Sequence, residues 1–255
     1  MGTVRCSDHE GGVRVLTLDR PPANAIDETL LTDHGLALNA AQADPVVRAI
    51  VLTGAGRFFS GGFDLAAPRR DAAAARQIQL LYRDLHAELL GFPKPTLAMV
   101  NGHAIAGGFV LALTCDYRLG VEGDHRIGLN EVAIGAGFPR TAVEIVQLRL
   151  PQARASELML GGALYPAGQA LRLGLVDELF PAAAFEATVL RRAARLGSHP
   201  RAAYVDAKLA LVAGALERIA RETEADGERT DAVWRDPESR AARRAQREKL
   251  GIPGS

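Results

Sequence analysis

Apolar residues recur along this chain in two rhythms, and the places where one gives way to the other predict its elements. Residues 13–18 (VRVLTL) alternate with period two, as a strand does, and the RPPAN that follows must break any regular element and turn a rigid corner. From Asp27, a suitable N-cap, a helical pattern runs through Leu30, Leu31, Leu36, Leu38 and Ala41 until Asp44 and Pro45 end it. Residues 48–53 (RAIVLT) read as a buried strand. The GAGRFFSGGFDL after them is so rich in glycine that its backbone geometry must be tight. Helical spacing returns over 71–90 through Ile78, Leu81, Leu85 and Leu89 and stops at Gly91-Phe92-Pro93. A second buried strand, 95–100, turns at Asn101-Gly102 and leads to 107–115, an almost wholly apolar helix that belongs in an interior. Residues 116–121 and 125–129 read as two further strands. Strands alternating with helices in this way predict a layered α/β architecture.

After Pro139 the rhythm is helical, over 141–150, 153–160, 166–173 and 182–196, with 176–179 as a short extended link and 200–225 continuing the style. Strands have ceased by Gly197. A boundary is therefore expected there, with residues 1–196 as the core and 197–255 as a helical region that packs on something else. Arg240, Arg243, Arg244, Arg247 and Lys249 give the end a basic character and read as a solvated helix face.

Composition narrows the functional classes. The 255 residues are 48% hydrophobic, and 30 basic residues balance 30 acidic ones, so no long-range field favours nucleic acid or an anionic membrane. Cys6 and Cys115 differ in setting, one in a leading segment and one in the apolar helix, and are expected as free thiols, Cys115 as core. The N-terminus lacks a basic region followed by an apolar run, and no apolar stretch approaches the roughly 20 residues of a membrane span. A soluble, cytoplasmic protein is expected, with neither nucleic acid nor membrane as a partner.

Several familiar motifs fail on spacing. Gly54-Ala55-Gly56 follows a strand, but the third glycine of a dinucleotide fingerprint would fall at Phe59. Ser60 has Phe58 two positions before it, so the nucleophile elbow is absent, and no lysine follows a phosphate-binding loop. The six histidines never pair at metal-ligand spacing. Neither a metal nor a covalent nucleophile is expected.

What survives lies in NGHAIAGGFVLALTCDYRLGVEGDHRIGLNEVAI, residues 101–134. The Ala106-Gly107-Gly108 turn lacks bulky side chains and opens a helix whose first N–H groups are unpaired, which suits an oxyanion. Glu131, a carboxylate among apolar neighbours, is expected to face the same substrate atoms. A base beside a stabilised oxyanion suggests proton abstraction next to a carbonyl. Burial against Val110, Leu129 and Val132 would raise its pKa and make it a better base. A second glycine turn, Phe58-Phe59-Ser60-Gly61-Gly62-Phe63-Asp64-Leu65, also follows a buried strand and could present a backbone N–H to the same point.

RPPANA, FFSGGFDL, KPTLAMVNGHAIAGG, ALTCDYR, IGLNEVAIG and AxxxGLVDE occur in this order between Val13 and Pro181. In that set and order the chain resembles the enoyl-CoA hydratase/isomerase superfamily, the crotonases. The resemblance implies a spiral of repeated β-β-α units with a C-terminal helical region that forms a trimer or a dimer of trimers. It puts the oxyanion hole at the amides of Phe63 and Gly107, binding the thioester carbonyl of an acyl-CoA. It puts Ala23, Asn24, Asp64, Leu65 and Ala66 along the coenzyme A site, and Asn130 beside Glu131 to orient it or the thioester. No cofactor is implied beyond the coenzyme A carried by the substrate. Hydratases of the family use two glutamates, whereas the first position is Val110 here, one helical turn beyond Gly107, where its side chain is expected to reach the same cavity but cannot hold water. One base suffices to move a double bond, and the GLNE segment resembles most the single-glutamate 3,2-enoyl-CoA isomerases. Isomerisation is thus the expected activity. Hydration of a 2-enoyl-CoA, a non-catalytic acyl-CoA-binding role, and decarboxylation or hydrolysis of another acyl-CoA are the alternatives. His103 is expected in a core or supporting role.

Overall fold

A computed structural model describes residues 2–65 and 72–252; Ala66 and Asp71 lie outside the described residues. The layered α/β expectation holds, and the layers are built in a particular way. Strands β1 (Val4–His9), β2 (Val13–Leu18), β3 (Ala49–Gly54), β5 (Thr96–Val100), β7 (Tyr117–Val121) and β10 (Glu178–Phe180) form one sheet in the order β1-β2-β3-β5-β7-β10. Strands β4 (Phe58–Ser60), β6 (His103–Ile105), β8 (Arg126–Gly128) and β9 (Leu164–Pro166) form a second, in that order. Three strands of the first sheet are each followed by a short strand in the second: β3 by β4, β5 by β6, β7 by β8. Helix α2 (Ala72–Leu90) returns the chain after β4 and α3 (Gly107–Thr114) after β6, so successive turns stack in parallel in both sheets. This is the β-β-α spiral expected from the resemblance.

The hydrophobic pattern explains why the first sheet lies inside. Alternate residues of β2, β3 and β5 enter two cores. Leu16, Leu18, Ile50, Leu52, Ala98 and Val100 pack on the side of α1 (Glu28–Ala43), α2 and α3. Val13, Val15, Ala49, Val51, Leu97 and Met99 pack against Phe185, Val189, Ala193 and Leu196 of α7 (Ala182–Gly197). A strand buried on both faces reads as a continuous apolar run, as AIVLTG does. The caps fall where expected: Asp27 accepts from Leu30 N at 2.8 Å and starts α1.

The core does not break at Gly197. Val212, Ala215 and Ile219 of α8 (Arg201–Ala220) belong to the same buried cluster as Leu16 and Phe109. Lys208 and Tyr204 on α8 reach Asp116, whose Oδ2 accepts from Lys208 Nζ at 3.0 Å, from the Tyr204 hydroxyl at 2.9 Å and from Thr96 N at 2.9 Å. The expected run over 200–225 is interrupted after α8. Thr223 and Asp226 form a capping box that begins a new helix, α9 (Glu224–Arg235), followed by α10 (Pro237–Lys249) with Asp236 as N-cap. The basic face is only partly solvated, because Arg243 is 9% exposed and is turned inward. No described helix is long and apolar enough to cross a membrane.

Candidate active site

Two glycine turns, one after each short strand, meet at the end of the second sheet. Gly62, at φ 84°, is so close to the other turn that a Cβ there would lie 2.9 Å from Ala106 Cβ, 2.9 Å from the Ile105 carbonyl and 3.1 Å from Gly107 N. Gly108 lies against the end of β4 in the same way, with a Cβ 2.3 Å from the Ser60 carbonyl. Only glycine permits either approach. Ala106 holds φ 53° without being glycine, a costly conformation of the kind found where a backbone group must be aimed. Its carbonyl accepts from Phe109 N and Val110 N, so the Gly107 amide opens α3 ahead of the helix's own hydrogen bonds.

The Phe63 turn is fixed from the Arg20 to Asn24 corner. Ile26 N donates to the Gly62 carbonyl at 2.8 Å and Asp64 N to the Ile26 carbonyl at 3.0 Å, a pairing that passes on either side of the Phe63 N–H and leaves it out. Arg20 closes the corner with ion pairs to Asp64 at 2.6 Å and Asp27 at 2.9 Å. Asn24 differs from the expectation. It is 1% exposed at φ 50°, and its side-chain amide donates to the Ala55 and Phe58 carbonyls at 3.0 and 2.8 Å while its oxygen accepts from Arg20 N. A side chain so fully engaged with the backbone shapes the corner and does not line the cavity.

Both turns open into a cavity of about 320 Å³. Ala23, Phe63, Leu65 and Gly107 lie on its wall with Asn130 and Glu131, so six of the expected site residues come together there. Asp64 sits behind Phe63 in the ion pair with Arg20, and Ala66 lies outside the described residues. Val110 also departs from the expectation. It is completely buried in the main core and is not part of the cavity wall, because the one-turn step along α3 carries its methyls into the packing between helices.

Glu131 is 7% exposed and starts the short 3-10 turn Val132–Ile134, which Gly135 ends at φ 67°. Its carbonyl accepts from Ala136 N at 2.8 Å, so the turn is closed on itself and the side chain is free to face the cavity. Among the described residues Glu131 Oε2 and Asn130 Oδ1 are buried without a hydrogen-bond partner. Burial pushes the Glu131 carboxyl up from 4.5 to about 8, offset slightly by its own backbone N–H. A carboxylate that is poorly solvated, faces an apolar cavity and ionises near neutrality is suited to proton transfer. Among the described residues lining the cavity it is the one carboxylate.

Several wall residues were not expected at the cavity. His103 borders the cavity, with Nδ1 accepting from Arg126 N at 3.0 Å and its ring stacked on Phe58 at 4.8 Å. Tyr82 on α2 packs against the Phe63 ring at 5.1 Å. Trp234 on α9, Gln246 on α10 and Leu250 bring the C-terminal helices over the site. The available signals were small. Tyr82 lies one turn from both Ile78 and Leu85 on the apolar face of α2, and Trp234 is the single tryptophan, set in a polar stretch.

Apposed glycine turns at the end of a β-β-α spiral face one buried carboxylate across an apolar cavity, an arrangement of backbone donors and base suited to forming and holding an oxyanion. Comparison with known proteins agrees: residues 8–251 match the family model for enoyl-CoA hydratase/isomerase, and the chain belongs to that family. It is 34% identical over 225 residues to an enoyl-CoA isomerase/hydratase of Mycosarcoma maydis, spanning 82% of this chain and 80% of that protein. It is 36% identical over 205 residues to the 2,3-dehydroadipyl-CoA hydratase of Escherichia coli, spanning 78% of each. Its fold is similar to that of human mitochondrial delta3-delta2-enoyl-CoA isomerase, with a TM-score of 0.92, 25% identity and 98% of each chain covered. The protein is thus an enzyme of the crotonase superfamily.

Proposed function

We propose that this enzyme moves the double bond of a 3-enoyl-CoA to the 2-position, with Glu131 as its one acid/base group. The observation that carries this reading is that Glu131 is the single carboxylate among the described cavity residues; the resemblance puts core-facing Val110 where hydratases of the family carry a second. The thioester oxygen accepts from the Phe63 and Gly107 amides. Ionised Glu131 removes a proton from C2, and the electrons of that bond delocalise through the carbonyl to the held oxygen. The dienolate then collapses: the C2–C3 double bond forms, the C3–C4 double bond opens toward C4, and C4 takes the same proton back from Glu131. Each backbone donor is typically worth about 2.7–4 kcal/mol to such a transition state. Asn130 orients Glu131 or the thioester, and Ala23 and Leu65 contact the coenzyme A portion. No cofactor is needed beyond that thioester.

Hydration of a 2-enoyl-CoA is the second reading, favoured by relatives that bear hydratase names. It needs a water positioned across the double bond, which two carboxylates normally share. We also propose a cytoplasmic homotrimer or dimer of trimers, assembled through the helices after Gly197.

Incubation with trans-3-hexenoyl-CoA and, separately, trans-2-hexenoyl-CoA tests the chemistry by chromatography with mass detection. The proposal expects the 2-enoyl isomer from the first without gain of water. Rapid formation of 3-hydroxyhexanoyl-CoA from the second would overturn it in favour of hydration.

A further inference from the structure

Beyond the main cavity lies a second compartment of about 40 Å³, between α2 and α9. The two share Phe63, Tyr82, Gly137, Pro139 and Trp234, which makes these residues a partition rather than the outer limit of the site. We propose that Trp234 and Tyr82 are the end wall of the acyl subsite, and that this wall sets the length of the plain hydrocarbon chain the enzyme accepts. The inference rests on the acyl-CoA reading and deepens it.

The wall is held rigidly on both sides. The Arg243 guanidinium lies over the Trp234 ring at 4.4 Å and also donates to the Trp234 carbonyl. The Tyr82 ring is packed between Phe63 at 5.1 Å and His86 at 3.9 Å. The cavity wall that holds Phe63 and Gly107 also includes the apolar Ile134 and Ala142 and these two rings.

The space behind the wall suits hydrocarbon. Ala75 and Ile78 line it, and its polar side chains are engaged elsewhere: Gln79 Nε2 donates to Asp231 at 3.1 Å, and the Thr230 hydroxyl lies 3.1 Å from the Asp226 carbonyl. A carboxylated or hydroxylated chain end would find no charged partner among the described residues there. The compartment exceeds the ~10–15 Å³ that a single water-sized group requires, so opening the wall adds room for about two to four chain carbons.

The test measures binding, so that it is independent of the chemistry. Dissociation constants for saturated acyl-CoAs of increasing chain length are measured by calorimetry for the wild type, Trp234→Ala, Trp234→Phe and Trp234→Ala with Ala75→Leu. Affinity should rise roughly fourfold per added methylene until the chain reaches the wall, and then stop rising or fall. Trp234→Ala should move that limit to chains about two to four carbons longer. Ala75→Leu, which fills the second compartment, should move it back. Trp234→Phe keeps the partition in place should the alanine variant fail to fold, and it should shift the limit less. A limit that stays the same in every folded variant, or a wild-type profile with no limit, would overturn the proposal. Retained length selection without turnover would sink only the isomerase reading, turnover with an unmoved limit would sink only the wall, and no binding at any length would sink both.

Discussion

Replacing Glu131 with glutamine should have opposite effects on activity and stability, and both should follow pH through the same group. The folded carboxyl keeps its proton to about pH 8, whereas its ordinary value is 4.5. Between those values the folded chain holds a proton that the unfolded chain has released, so rising pH favours unfolding. A raised carboxylate therefore costs nothing below about pH 4.5, costs progressively more up to about pH 8, and then costs a constant amount. From 1.36 kcal/mol per pKa unit, the penalty is about 3 kcal/mol at pH 7 and about 5 kcal/mol above pH 8. Glutamine does not titrate and escapes it. Urea unfolding of both proteins from pH 4 to pH 9 should show Glu131→Gln gaining stability over the wild type by those amounts as pH rises, with a common slope in denaturant. The rate of the wild type should move the other way, because the base must be ionised: kcat/KM should rise about tenfold per pH unit and level off near pH 8, being about one-tenth of its plateau at pH 7. Glu131→Gln should lose at least a thousandfold against the wild-type plateau near pH 8, and its residual rate should lack the wild-type rise with pH. A stability difference that does not change between pH 5 and pH 9 would refute the claim that Glu131 is desolvated, and with it the argument for its role.

Three further outcomes follow from the geometry. Gly108→Ala should destabilise the protein by about 3 kcal/mol or more because its Cβ would enter the Ser60 carbonyl, whereas Gly107→Ala, whose Cβ meets only Ile26 and Phe63 at 3.5 Å, should fold with a loss below about 1 kcal/mol; thermal melts distinguish them. Arg243→Ala should cost about 2–4 kcal/mol in urea unfolding, since it leaves the Gly135 and Trp234 carbonyls without their charged donor, and amide exchange in α10 should accelerate. Asp64→Asn should lower kcat/KM about fivefold through the loosened Phe63 turn, since a half-buried ion pair of this kind is worth about 1 kcal/mol, and high salt should narrow the gap in a steady-state assay.

The parts of this fold that were legible in the sequence are those whose burial writes a period. Strands β2, β3, β5 and β7 and helices α1, α2, α3 and α7 lie within a few residues of the positions expected from hydrophobic spacing, Gly91 and the Asp27 cap. Strand β1 was not legible, because VRCSDH is an exposed edge strand with no apolar alternation. The three-residue strands β4, β6 and β9 are too short to show any period, although they build the sheet from which the active-site turns spring. At the site, glycine and carboxylate chemistry was readable because the residue types are unusual where they stand. Asn24, Val110 and Arg243 were misjudged for one reason: the direction of a side chain depends on what surrounds it, and only the folded packing shows that Asn24 binds carbonyls, that Val110 faces the core and that Arg243 turns inward. Trp234 and Tyr82 are contributed to the cavity by elements about 150 residues apart, and no local pattern announces that meeting.

The central claim is that one sheltered carboxylate takes a proton from C2 and returns it at C4. Its most direct test is a single turnover of trans-3-hexenoyl-CoA carrying two deuteriums at C2, in ordinary water, with the product's label located by fragmentation mass spectrometry. The account predicts 2-hexenoyl-CoA with a measurable share of the departing deuterium at C4, transferred before the buried Glu131 exchanges with solvent. A product with no deuterium at C4 after one turnover, or one that has gained water, would contradict it.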